Sequence, residues 1–189
     1  MRTAPLKIEL PGWLAEKLAG AGPLRDVRAR MAFAIELSRA NVEHGTGGPF
    51  GAVIADTETG RLLSGGVNLV EHQTNSVLHA EIVAIMFGQH ALGAWTLAGP
   101  GRHKYEIVTS SAPCAMCLGA ALWSGAAALV CGARTEDVQA IGFDEGPVFD
   151  ESLDYLRQRG VVIVRDVMRD EARAVLRDYK TRGGTIYNR

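Results

Sequence analysis

The chain has 189 residues, a formal net charge of -1, 47% hydrophobic residues and 22% charged residues. That length supports one well-packed domain rather than two, and the composition is ordinary for a globular protein in water. No apolar run approaches the about 20 residues a membrane-spanning helix needs, and the first ten residues lack the apolar stretch of a secretory signal.

The predicted elements run as follows. Residues 12–20 form a short helix starting near Pro11. Val27, Met31, Ala34, Ile35 and Leu37 recur at helical spacing, predicting a helix over 24–43 that Gly45-Thr46-Gly47-Gly48 ends. Strands are expected over 51–57 and 61–68, joined by the turn Glu58-Thr59-Gly60. A loop then leads to a helix opening near His79, with Ile82, Val83, Ile85 and Met86 as its buried side. A third strand over 105–110 precedes a helix at Cys114, and a fourth strand follows over 127–131. A helix over 148–159, a fifth strand over 161–166 and a closing helix over 169–182 complete the chain. A hairpin followed by alternating strands and helices predicts an α/β fold, a three-layer α/β/α sandwich around a mixed five-stranded sheet. The whole of 1–189 reads as one domain, with an N-terminal helical extension over about 1–23.

His79-Ala80-Glu81 is followed by Pro113-Cys114-Ala115-Met116-Cys117. One imidazole and two thiolates are three ligands for zinc, and three ligands leave a tetrahedral ion one open position, as catalytic sites do. Cys114 and Cys117 are three apart, so a helix would set both sulfurs on one face, close to the positive end of its dipole. His79 and Glu81 are two apart, which places His79 at the very start of its helix, where the entering chain is not yet helical. A carboxylate beside an open zinc position is best read as a proton shuttle for bound water. A structural zinc module would instead need a fourth protein ligand, with Cys131 or His72 the donors to consider, and would leave Glu81 without a role.

H-x-E followed by P-C-x-x-C is the signature of zinc-dependent nucleobase deaminases, and this chain resembles that superfamily over about residues 27–165. Pro49-Phe50-Gly51-Ala52-Val53-Ile54-Ala55 resembles its first core strand, and Gly66-Val67-Asn68 the end of its second, where members carry a substrate-binding Asn. Cys117-Leu118-Gly119-Ala120 is similar to the purine-acting branch of guanine deaminases and tRNA adenosine deaminases. The resemblance implies a cytidine deaminase-like fold, one Zn²⁺ per chain on His79, Cys114 and Cys117, and Glu81 as carrier of protons between the attacking water, the ring and the leaving ammonia. It also implies contact of Ala80 with the substrate, and a homodimer.

The ring attacked must be read from the surroundings. No Lys or Arg lies between Arg61 and Arg102, nor between Lys104 and Arg134. Polynucleotide binding needs cations at phosphates, so this argues against nucleic acid and for a free nucleobase or triazine. In Ile141-Gly142-Phe143-Asp144-Glu145-Gly146, Phe143 is placed to stack on a flat ring and Glu145, with Asp144 as fallback, to serve as a second proton carrier; the alternative is an acidic loop capping the next helix. Guanine deaminases of this fold are similar in placing a second carboxylate from this region, and in closing the site with a C-terminal segment bearing a Tyr, which points here to 183–189 and Tyr187. Tyr187 packing only on its own domain is the alternative. Asn68 is a candidate for the ring edge or a plain turn residue, and Phe50 a pocket wall or plain core. The expected reaction is guanine to xanthine and ammonia, with ammeline as a related substrate; a tRNA adenosine deaminase and a cytidine or cytosine deaminase are the other enzyme readings. Trp95 and Trp123 read as core or interface residues, Cys131 as a small buried hydrophobe, and His44, His72, His90 and His103 as surface or structural. Two cysteines on a metal and one left unpaired fit a reducing cytoplasm.

Overall fold

The computed structural model describes residues 5–99 and 104–188, so His103 and both extreme termini lie outside the described residues. Helices α1 (Gly12–Ala19) and α2 (Val27–Glu43) precede the hairpin of β1 (Gly51–Asp56) and β2 (Leu62–Val67). Then come α3 (Ala80–Leu92), β3 (Tyr105–Ser111), α4 (Ala115–Ser124), β4 (Ala128–Ala133), α5 (Thr135–Gln139), α6 (Asp150–Gln158), β5 (Val162–Val164) and α7 (Arg169–Thr181). The sheet order is β2-β1-β3-β4-β5. β1 runs antiparallel to both neighbours, whereas β3, β4 and β5 are parallel. This is the mixed five-stranded sheet the sequence predicts.

Side-chain parity sorts the helices onto the two faces. Gly51 turns towards α2, where an added Cβ would lie 2.4 Å from the Ala34 carbonyl oxygen. Gly66, paired with Ala52, turns towards α3, where an added Cβ would lie 2.3 Å from the Ala80 carbonyl oxygen. The absence of a side chain at Gly66 therefore lets the first turn of α3 lie directly on β2, which fixes the height of His79 and Glu81 over the sheet. α4 packs beside α3, while α7 packs beside α2 and over β4, giving three layers.

Each functional helix starts where its chemistry begins. His79 and Cys114 are the N-caps of α3 and α4, both in extended backbone, and left-handed Gly93 and Gly125 close the two helices. Cys114 therefore sits one residue outside the helix expected to contain it, with only Cys117 inside. The α3 face differs from expectation too: Val83 and Ile85 are buried, but Met86 is exposed and Ile82 only half-buried. Trp95 and Trp123 are 83% and 76% exposed, so neither belongs to the core. The short α5 was not expected. β5 is shorter than predicted because Asp166 and Met168 adopt left-handed φ angles of 66° and 53° just beyond it. No helix among the described residues is long and apolar enough to cross a membrane.

Candidate active site

The ends of α3 and α4 bring the nitrogen of His79 and the sulfurs of Cys114 and Cys117 within 4.8 Å of one another. Cys114 Sγ lies 3.5 Å from His79 Nδ1. A tetrahedral zinc with bonds of about 2.0–2.3 Å sets its ligand atoms about 3.5–3.8 Å apart, so this donor set fits zinc with little adjustment. No other described His, Cys, Asp or Glu joins the cluster, and Cys131 is a buried thiol pushed up to about 12, mainly by burial. The fourth position is thus left to water or substrate, which a structural zinc module would not do.

The electrostatics suit a cation. Cys114 is held down at about 4, chiefly by a hydrogen bond from the Cys117 thiol, with His79 adding a second hydrogen bond and its charge against the opposing effect of burial. Cys117 is pushed strongly upward by the proton it shares with Cys114 and by burial. Burial alone would lower His79, but its hydrogen bond to Cys114 and the charges of Cys114 and Glu81 outweigh it and raise the imidazole. A divalent ion would displace the protons that Cys117 and His79 hold, Cys114 being already ionised.

Glu81, in the first turn of α3, is buried. Burial raises its pKa, and the Cys114 charge adds to the rise. Its Oε1 accepts a 2.9 Å hydrogen bond from the Thr109 hydroxyl on β3. Phe50, His79, Glu81, Ser111, Ala112, Cys114, Phe143, Glu145, Tyr187 and Asn188 enclose a cavity of about 10 Å³, room for about one water.

The 141–146 segment alternates: Ile141, Phe143 and Glu145 are buried, whereas Gly142, Asp144 and Gly146 are exposed. An extended segment shows alternate side chains to opposite sides, so Phe143 and Glu145 face the cavity together. Asp144 faces outward, its carboxylate accepting the Gly146 N–H at 2.8 Å. The Glu145 carbonyl accepts the Ala115 N–H at 2.9 Å, tying this loop to the start of α4. Glu145 is pushed up to about 9 by burial first and then by the charges of Cys114, Glu81 and Asp144.

The tail lies over this site. The Asn68 side-chain amide donates a 2.6 Å hydrogen bond to the Tyr187 hydroxyl. The Tyr187 ring meets Phe143 edge-on at 5.0 Å, and Phe50 meets Phe143 edge-on at 5.2 Å. The Asp144 N–H donates to the Asn188 carbonyl at 3.0 Å, and the Asn188 side-chain amide returns a bond to the Asp144 carbonyl. Asn68 Oδ1 faces the backbone N–H groups of Gly48 and Val70 at 3.4 and 3.3 Å. Ala80 is fully buried beneath the start of α3 and is not among the cavity walls. Sequence reasoning missed Thr109, Ser111, Ala112 and Asn188. Thr109 and Ser111 share one face of β3 by their two-residue spacing, but nothing local marks which face that is, and nothing local marks Asn188.

The model of the cytidine and deoxycytidylate deaminase zinc-binding region matches residues 25–133, and the chain belongs to that family. It is a zinc-dependent hydrolytic deaminase. Guanine deaminase of Bacillus subtilis is 36% identical over 118 residues, covering 62% of this chain and 71% of that protein. A tRNA-specific adenosine deaminase of Rickettsia bellii is 36% identical over 72 residues, 38% of this chain and 46% of that one. Among solved structures, guanine deaminase from Nitrosomonas europaea has a TM-score of 0.91 at 40% identity, covering 96% of this chain and 98% of that one. A protein in complex with 2,6-diaminopurine gives a TM-score of 0.91 at 41% identity, covering 96% of each chain.

Proposed function

We propose that this protein hydrolyses guanine to xanthine and ammonia, with the triazine ammeline as a related substrate. The observation that carries the reading is the presence of two buried carboxyl groups, Glu81 and Glu145, in one cavity with His79 and Cys114 of the metal-ligand cluster and the flat rings of Phe50 and Phe143. The likeness to one guanine deaminase over 96% of this chain and to another over 62% of it supports the same substrate. The tRNA reading draws less support, because α3, β3 and α4 carry no Lys or Arg to meet phosphates.

Zinc held by His79, Cys114 and Cys117 would acidify a water to about pKa 7 and so provide a nucleophile at neutral pH. Glu81 takes a proton from the attacking water as the C–O bond forms at the ring carbon bearing the amine, and gives it to the adjacent ring nitrogen. The other proton of the water leaves with the amine as the C–N bond breaks, so guanine and water become xanthine and ammonia. Glu145 is the second proton carrier: burial keeps it protonated, and a cation beside Cys114 relieves part of the repulsion that raises it. Phe50 and Phe143 confine the ring, and Asn68 donates to its edge once the Tyr187 hydroxyl withdraws. Tyr187 and the 183–189 tail then exclude water from the closed site. Asp144 acts through its backbone by holding Asn188.

The chain works as one deaminase domain. Met86 on α3 and Trp123 on α4 present exposed apolar surface on neighbouring helices, which suits a homodimer. Three free cysteines suit the cytoplasm. Purified protein incubated with guanine yields xanthine and ammonia; if neither forms, the guanine assignment fails. Ammonia release from ammeline, cytosine, adenine and their nucleosides ranks the alternatives, and light scattering in solution checks the dimer.

A further inference from the structure

Thr109 lies in the middle of β3, the central strand of the sheet, and is fully buried. In register it faces Ala52 on β1 and Cys131 on β4. Its hydroxyl reaches Glu81 Oε1 at 2.9 Å. That acceptor is a carboxylate from a different layer, 28 residues back in the chain.

We propose that Thr109 is a positioning residue that locks the Glu81 carboxylate so that one oxygen alone does the proton transfer; this rests on Glu81 as the proton carrier proposed above. The terminal torsion of a Glu side chain is broad and close to two-fold, so packing alone does not fix the plane of its carboxylate. A hydrogen bond from a β-branched residue, itself restricted at χ1, removes that freedom. A hydroxyl donates one proton. With that proton directed at Oε1, Oε1 remains an acceptor, and the proton Glu81 takes from water lands on Oε2. Oε2 is then the oxygen that both receives the proton and delivers it to the ring, with no rotation of the carboxylate between the two steps. Cys131, beside Thr109 in the next strand, is a neutral thiol and a weak donor, so it does not substitute for the hydroxyl.

The test compares Thr109→Val, isosteric but without the hydroxyl, with Thr109→Ser, which keeps it. Val is a good strand residue, so Thr109→Val is expected to fold; Thr109→Ala takes its place if it does not. Turnover is read on whichever heterocycle the wild type deaminates, with zinc content and 8-azaguanine affinity measured alongside. Loss of carboxylate alignment costs about 30- to 100-fold in kcat, with KM, zinc content and 8-azaguanine affinity within about two-fold of wild type and Thr109→Ser restoring most of the rate. Crystals of Thr109→Val show the Glu81 carboxylate in more than one orientation. A kcat for Thr109→Val or Thr109→Ala within two-fold of wild type, or an equal loss in Thr109→Ser, overturns the inference. Glu81→Gln is run in parallel: if it stays active, Glu81 is not the proton carrier and the inference falls with that reading; if it is inactive while Thr109→Val is not, only the inference falls.

Discussion

The Tyr187 hydroxyl accepts a 2.6 Å hydrogen bond from the Asn68 side chain, joining the C-terminal tail to the end of β2 across 119 positions of sequence. Asn68 is fully buried, and its other side-chain atom faces the backbone of Gly48 and Val70. The tail therefore takes up the side-chain donor of Asn68, one residue beyond β2. With about 10 Å³ free, the cavity is too small for a purine as it stands, and Tyr187 is among its walls.

Tyr187 and Asn188 are walls of the cavity, so a chain lacking 183–189 is expected to have its site opened to water. We expect kcat/KM for guanine to fall at least about 100-fold, since lid residues both exclude water and hold the substrate in reactive geometry. Tyr187→Phe keeps the ring contacts with Phe143 and loses only the bond to Asn68. Its KM changes by less than about ten-fold, one net hydrogen bond being worth about 1 kcal/mol. Steady-state kinetics of both variants separate closure from the single hydrogen bond.

Glu81→Gln keeps the shape of the side chain and its contact with Thr109 but takes no proton. Zinc content stays at one per chain while kcat drops by about 10²–10⁴, the usual size of a general acid–base contribution. Metal analysis beside a xanthine assay checks both halves.

Glu145→Gln tests the second proton carrier proposed above without emptying its buried place. A kcat lower by about 100-fold is expected, with unfolding temperature unchanged or raised, since no carboxyl then has to be kept out of water beside Cys114 and Glu81. Asp144→Asn, on an outward-facing side chain, leaves kcat within about two-fold, as expected for a surface position.

Zinc loading of the metal-free protein at pH 7 releases between about one and two protons. The lowered Cys114 thiol is already ionised, so the protons come from Cys117 and from the raised His79. Calorimetry in buffers of different ionisation enthalpy counts them. A release near zero contradicts this ligand set.

The Asp137 carboxylate receives the Arg134 N–H at 2.9 Å and two bonds from the Arg169 guanidinium at 2.7 and 3.0 Å, clamping α5 to the start of α7, the helix from which the tail departs. The Arg169 hydrogen bonds come first among the effects that lower its pKa. A carboxyl held lower in the folded chain than in the unfolded one adds stability above about pH 4, and that stability is lost as pH falls through the folded value. Asp137→Asn therefore lowers the unfolding temperature by roughly 2–4 °C at pH 7, and the gap to wild type narrows below pH 4. Thermal unfolding across pH 3–7 measures it.

The short-range chemistry was legible in the sequence. His79, Cys114 and Cys117 are ligands by residue type, and their spacings require two helix starts, which is what the N-caps of α3 and α4 supply. The open metal position follows from ligand count and needs no coordinates, and the proton-carrier role proposed for Glu81 starts from its place two residues after His79. The strands and helices were legible because their apolar periods are strong, whereas α5, five residues long, has too little periodicity to read.

What the tertiary structure decided are contacts whose partners lie far apart in the chain. Glu145 lines the cavity beside His79 and Cys114 and Asp144 does not, because the loop enters extended and Phe143 is buried. Thr109 meets Glu81 only because Gly66 lets α3 settle on the sheet and β3 occupies its centre. Tyr187 reaches Asn68, and Asn188 reaches Asp144, because α7 crosses back over the sheet and releases the tail beside the cavity. Identity and spacing determine which groups can bind a metal or move a proton; packing of distant segments determines which of them face one another.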